Sequence, residues 1–214
     1  MISVSAFDLD HTLVRSNSAF LFYFYLVRKK FFSPFSCFPA YVYRSRYDFC
    51  GMPLSEFHRK VFSRFLRGRA LKQIEDEVHH FLASHFYRYL YTPALSCLRR
   101  AQHEGHHTLV ISSSPSFLVE PLANYLGCSG WHSSNYLTDK KGIFKRVGSI
   151  LSGSGKAKHL QKIIRTLNTT REKVTAYSDS VTDLPFLYAA GRAIVVNPYG
   201  KLKKISKKEK WEVI

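Results

Sequence analysis

From Thr92 onward the chain alternates segments of helical and of strand periodicity, and this rhythm restricts it to an α/β fold built on a parallel sheet with helices on both faces. The pattern predicts helices over 94–104, 116–126, 156–167 and 183–190, and strands over 107–111, 131–137, 143–147, 174–177 and 193–196. Gly105 and Gly127 close the first two helices, and 139–142 reads as a turn between two strands. An apolar run from Ile2 to Phe7 predicts one more strand at the start of the chain. Between them, residues 15–92 lack good strands. Phe57, Val61, Phe62 and Phe65, then Ile74, Val78, Phe81 and Leu82, recur at helical spacing and predict helices over 54–66 and 71–86. In open parallel sheets ligands gather at the carboxyl ends of the strands, so the residues that follow each strand carry the functional signal.

The first strand ends in Asp8-Leu9-Asp10-His11-Thr12-Leu13. Alternation along a strand turns Asp8 and Asp10 toward one site, where two adjacent anions need a cation or a shared proton. A divalent metal and one protonated carboxyl meet that need, with one carboxylate as nucleophile and the other as acid/base. The same residues also read as a strand running into a turn, with Asp10 or Thr12 capping a helix.

Three more polar clusters follow strands. Ser112-Ser113-Ser114-Pro115 sets hydroxyls between a strand and a helix, which suits a phosphoryl group or an ordinary N-cap. Gly153-Ser154-Gly155-Lys156 places a lysine at a helix start behind a glycine-containing loop. A cation there opposes the helix dipole, so the lysine is either a phosphate ligand or simply solvated. Ser178-Asp179-Ser180-Val181-Thr182-Asp183-Leu184-Pro185 ends a strand in two acids four residues apart. These are hard oxygen ligands suited to Mg²⁺, or else an Asx turn and an N-cap.

Taken in order, the four clusters resemble the motifs of the haloacid dehalogenase-like phosphohydrolases. Phe7-Asp8-Leu9-Asp10-His11-Thr12-Leu13 is similar to their first motif, Ser112 to the second, Lys156 to the third and the Ser178–Pro185 stretch to the fourth. The wording of the fourth motif, with a helical stretch between the first two, resembles the branch containing phosphoserine phosphatases. The resemblance covers essentially the whole chain and is weakest from Arg15 to Tyr91. It implies a Rossmann-like, doubly wound core of residues 1–14 and 93–214, with residues 15–92 inserted as a helical cap. It also implies a two-step phosphoryl transfer through an aspartyl phosphate, with Asp8 as nucleophile and Asp10 as acid and then base. Mg²⁺ would be held by Asp8, the backbone carbonyl of Asp10 and Asp179, with Asp183 in support. Ser112 and Lys156 would hold the transferring oxygens, and Thr12 would join that phosphate-binding set while positioning Asp10.

Two positions depart from the family pattern. His11 stands where glycine or serine is commoner, and alternation points it away from Asp8 and Asp10, so it is given no catalytic role. Asn17 stands where phosphoserine phosphatases resembling this chain carry a glutamate that meets the substrate amine. A neutral amide pairs an ammonium less strongly, which counts against phosphoserine.

Composition narrows the partners. The formal charge of +17 is spread along the chain and favours anions: phosphate esters, acidic lipid headgroups or nucleic acid. No nucleic-acid fold signature accompanies the basic run from Lys201 to Lys210, so no nucleic-acid partner is expected. Four cysteines without metal-ligand spacing, no signal peptide and no spanning segment predict a cytoplasmic protein. His103, His106 and His107, like His79, His80 and His85, read as structural or exposed.

Thirteen of the 32 aromatic residues fall between Phe20 and Phe49, flanked by Arg28-Lys29-Lys30, Arg44 and Arg46. Phe20 to Val27 is apolar all round, which suits an aromatic cap core, a dimer interface or peripheral contact with an anionic membrane. The expected substrate is therefore a lipid-linked or membrane-proximal phosphate. The alternative is a soluble phosphorylated metabolite, phosphoserine-like or a sugar phosphate. An inactive module that binds anionic surfaces is the non-enzymatic reading.

Overall fold

The computed structural model describes residues 1–84 and 86–214; His85 lies outside the described residues. The chain opens with β1 (Val4–Phe7), buried at every position. Helices α1 (Ser18–Arg28), α2 (Cys37–Phe49), α3 (Leu54–Phe65), α4 (Leu71–Ala83) and α5 (Thr92–His103) follow. Next come β2 (His107–Pro115), α6 (Ser116–Tyr125), β3 (Gly130–Ser134), β4 (Tyr136–Thr138) and β5 (Phe144–Val147). The remainder is α7 (Gly153–Thr166), β6 (Val174–Ser178), α8 (Leu184–Ala189), β7 (Arg192–Val195), α9 (Gly200–Lys208) and β8 (Glu212–Val213).

Six strands form one sheet in the order β3-β2-β1-β6-β7-β8, and every pair in it is parallel. This is the parallel α/β sheet that the alternation predicts and the Rossmann-like core that the resemblance implies. β1 is central, with Phe7 beside Val110 on one neighbour and Tyr177 on the other. The Phe7 and Tyr177 rings stack at 4.0 Å between centroids. Alternation splits the core between the two faces. Val4, Ala6, Leu109, Ile111, Val174 and Ala176 pack with Leu160 of α7 and Phe186 of α8. Phe7, Val110, Tyr177 and Ile194 belong to the other core, which runs into α5, α6 and the earlier helices. β2 and β6 leave β1 on opposite sides, so the carboxyl end of β1 lies at a topological switch point.

Three local readings change. The strand expected over 131–137 is two strands. β3 joins the parallel sheet, while β4 pairs antiparallel with β5. The break falls at Asn135, whose N–H donates to the Ser149 carbonyl and whose carbonyl accepts from Gly148 N–H. Helix α7 begins at Gly153, so the Gly-Ser-Gly stretch is helical and Lys156 stands in the first turn. The two exposed residues of β8 are too short a segment for a periodicity to reveal.

Helix α1 starts where Asn17, in extended conformation, accepts from Phe20 N–H. Its aromatic side chains are largely covered. Phe22 meets Phe81 at 5.6 Å, and Tyr23 meets Phe65 at 5.2 Å and Phe32 at 5.7 Å. Phe24 of α1 is half exposed, and more exposed aromatics lie further on: Phe35 in a short 3₁₀ turn, then Phe38, Tyr41 and Phe49 on α2. The segment between α3 and α4 is stitched to the β4–β5 hairpin by Gly68 N–H to Phe144 carbonyl and Phe144 N–H to Arg69 carbonyl. Among the described residues, no helix is long and apolar enough to cross a membrane. Cys37, Cys50, Cys97 and Cys128 are unpaired thiols. His106 shares a hydrogen bond with Ser5 at 2.9 Å, a structural role, and His79 and His80 are exposed.

Candidate active site

The first strand brings Asp8 to the centre of the sheet end. Asp8 N–H still follows the ladder, donating to Tyr177 carbonyl at 2.9 Å. The chain then turns tightly, with Val14 N–H returning to Leu9 carbonyl at 2.9 Å. His11 takes φ of 59°, the left-handed region, which is how a non-glycine residue accommodates that turn. Alternation has stopped by this point, and His11 is exposed. His11 lines the same cavity as Asp8 and Asp10, and its field acts on Asp179.

Lys156 is 2% exposed, and its Nζ donates to Asp8 Oδ1 at 2.7 Å and Asp183 Oδ2 at 2.6 Å. Asp183 also accepts from Ser178 Oγ at 2.8 Å. The packing of α7 makes this reach feasible. A Cβ on Gly153 would lie 1.9 Å from the Thr182 carbonyl oxygen, so only glycine lets the helix start press on the turn carrying Asp183. Burial pushes Asp8 well above the usual carboxylate range; Lys156 opposes that rise, while Asp183 and Asp179 add to it. For Lys156 burial disfavours the charge, but Asp183 and Asp8 outweigh it and hold the ammonium above its ordinary value. Burial raises Asp179 to about 6, with His11 opposing and Asp183 contributing.

Asp10 is held differently. It accepts from Ser114 Oγ at 2.6 Å, Ser18 N–H at 2.7 Å and Asn17 Nδ2 at 3.3 Å. These donors come from the end of β2 and the start of α1, so the carboxylate is clamped from both sides. Ser114, one of the 112–115 hydroxyls that suit a phosphoryl group, is spent on Asp10, and Ser18 carries no signal in the sequence. The signal for Ser114 is its place two residues after Ser112 in an extended run, which turns both toward one site. Ser112 itself is 1% exposed, lines the cavity, and accepts from Ser114 N–H at 3.1 Å. Asn17 is committed to Asp10 and to the start of α1. Thr12, expected beside Asp10 and among the phosphate ligands, is fully buried and donates instead to Asp179 Oδ1 at 3.3 Å. Past the strand end the tight turn, not alternation, decides which acid it meets.

Asp8 and Asp183 thus share one ammonium, and half-buried Asp179 stands beside them without an ion pair to it. Among the described residues, no group of three or more His, Cys, Asp or Glu side chains is gathered to hold a metal unaided. The donor chemistry suits Mg²⁺ all the same. Mg²⁺ takes one or two carboxylates and fills its octahedron with other oxygens. Asp8 and Asp179 supply two carboxylates bordering one cavity, the hard oxygen donors such an ion takes.

Asp8, Asp10, Ser112, Lys156, Asp179 and Asp183 all border one cavity of about 1440 Å³. It extends from the sheet end beneath α1, α2 and α3, where Phe20, Tyr23, Phe57 and Phe65 line it.

Residues 6–188 match the model of the haloacid dehalogenase-like hydrolase family. The chain is 24% identical over 222 residues to phosphoserine phosphatase SerB1 of Mycobacterium tuberculosis, covering 100% of this chain and 70% of that protein. It is 24% identical over 224 residues to histidinol-phosphatase of Neisseria meningitidis, covering 100% and 99%. A solved protein of unknown function from Bordetella pertussis superposes with a TM-score of 0.88 at 20% identity, covering 100% of this chain and 99% of that one.

Proposed function

The chain belongs to the haloacid dehalogenase-like hydrolases, and from that premise we propose that it is a Mg²⁺-dependent phosphomonoester hydrolase acting on a soluble phosphorylated small molecule. The observation that carries this reading is the separate treatment of the two acids. Asp8 is paired with a buried ammonium, while Asp10 is clamped by three neutral donors.

In this reading a phosphoryl group enters between Lys156 and Ser112. Lys156 meets its oxygens with charge and Ser112 with a hydroxyl, beside the carboxylate that attacks. An Asp8 oxygen bonds to phosphorus as the P–O bond to the alcohol breaks. Asp10 delivers a proton to the departing oxygen, then removes one from the water that hydrolyses the aspartyl phosphate. The clamp from Ser114 and Ser18 keeps Asp10 aimed through both steps. Thr12 acts as a positioning residue for Asp179. Bound by Asp8, Asp179 and the Asp10 carbonyl, with Asp183 behind them, Mg²⁺ would neutralise phosphoryl charge and favour ionised Asp8. Residues 15–92 serve as a cap over the core formed by 1–14 and 93–214.

The names of the two relatives favour a dissolved ester over the lipid-linked one that the aromatic-basic segment suggests. Asp8→Asn should abolish turnover of a chromogenic phosphate ester while the circular dichroism spectrum stays unchanged. Chelation should remove activity and Mg²⁺ restore it. Retained turnover in either arm refutes the mechanism.

A second reading, peripheral membrane contact, rests on a separate observation. Phe35 and Phe49 are 91% and 85% exposed, with Phe38 and Tyr41 also exposed and Arg46 on the same helix. It requires salt-sensitive sedimentation with phosphatidylglycerol liposomes, and no sedimentation at low salt removes it.

A further inference from the structure

Resting on the phosphatase reading above, we propose that the organic half of the substrate is apolar: this site takes an aryl or alkyl phosphomonoester, its phosphoryl group at Lys156 and its carbon skeleton in the chamber beneath α1, α2 and α3.

Three observations lead there. The first is size. The cavity of about 1440 Å³ exceeds the roughly 300–1,000 Å³ of common small-molecule sites, and the phosphoryl end occupies only one part of it. The second is lining. Away from the acids, the walls include Phe20, Tyr23, Phe32, Phe57, Val61 and Phe65. The third is that several polar atoms in these walls already have partners. Arg44 Nε donates to Asp48 at 2.5 Å, His58 Nδ1 shares a hydrogen bond with the Tyr136 hydroxyl at 2.8 Å, and Arg15 Nε donates to Leu90 carbonyl at 3.2 Å. Burial also keeps His58 uncharged near neutrality.

A phosphorylated amino acid brings an ammonium and a carboxylate into the site. The ammonium would have to compete with Arg44 for Asp48 or lose its hydration against aromatic rings. Asn17, which donates to Asp10 and accepts from Phe20 N–H, cannot serve the ammonium without releasing the start of α1. An apolar skeleton has no such conflict and removes its own surface, and that of the rings, from water.

The test uses the full chain with Mg²⁺. Values of kcat/KM are measured for methyl, butyl, octyl and phenyl phosphate beside O-phosphoserine, all below micellar concentration. The affinities of methylphosphonate and octylphosphonate are measured by calorimetry, a readout that needs no turnover. We expect kcat/KM to rise about two- to fourfold per methylene, and octylphosphonate to bind at least about a hundredfold tighter than methylphosphonate. Val61→Trp should lower the octyl-to-methyl ratio at least about tenfold by filling the chamber. Phosphoserine turned over as well as octyl phosphate, or equal affinity for the two phosphonates, overturns the inference and leaves the phosphatase reading standing. Failure to hydrolyse any ester, with octylphosphonate still bound the tighter, overturns the phosphatase reading and supports the apolar chamber.

Discussion

Lys156 holds a positive charge between Asp8 and Asp183 with almost no access to water. Removing one partner of a buried ion network leaves the others uncompensated, which costs about 3–5 kcal/mol. Lys156→Met should therefore abolish turnover and also lower unfolding stability by about 3 kcal/mol, measured by urea denaturation. An unchanged midpoint would mean that the acids are solvated. Much of this site was legible at residue level. Asp8, Asp10, Asp179 and Asp183 follow strands and Ser112 stands late in β2, which runs on past the apolar 107–111 run to Pro115. What alternation could not supply was geometry beyond the strand. His11 and Thr12 lie in a left-handed turn, so one reaches the field of Asp179 and the other bonds to it. Nor does a sequence show that Ser114 and Ser18 converge on Asp10, since their elements meet only in the folded chain.

Helix α7 shows why element boundaries carry function. Gly153, Ser154 and Gly155 have weak helical propensity and read as a loop, yet packing against the 181–183 turn makes them the first turn of the helix. Gly153→Ala should force that helix back from Thr182. The expected result is at least about a tenfold fall in kcat/KM and a loss of about 1–3 kcal/mol, tested by kinetics and thermal melting. The 131–137 segment was misread for the opposite reason. Both halves have strand character, and only the hydrogen bonds of Asn135 to the 148–149 backbone show where one ends.

The hairpin formed there meets α3 through His58 and Tyr136, and burial lowers His58 from 6.5 to about 4. A histidine held neutral in the fold contributes full stability above its unfolded value near 6.5. That stability is lost as pH falls from there toward 4, because the unfolded chain takes up the proton first. Wild type should lose up to about 3 kcal/mol from this group across that window. His58→Gln should flatten that part of the pH–stability profile, and an identical slope in the variant would refute the assignment.

At the scale of the molecule, a formal charge of +17 surrounds a buried acidic cluster. The surface field gathers anionic substrates, and salt screens it within roughly 8–10 Å. Raising ionic strength from about 10 to 150 mM should lower kcat/KM for a phosphate dianion several-fold and leave kcat nearly unchanged. A salt-independent kcat/KM would show that steering plays no part.

The sheet order was the most legible large-scale feature, since alternating helix and strand leave few parallel arrangements open. One of its consequences concerns time. β1 is the first strand in the chain, yet its two neighbours begin at His107 and Val174. On the ribosome this apolar strand emerges ahead of both partners and stays without the second until β6 has been made. Pairings so distant in sequence close slowly, and an unpaired apolar strand is open to other chains while it waits. Nascent chains halted before Ser178 can form the early helices but cannot assemble the site, so a strand made before both its neighbours is among the last to be secured.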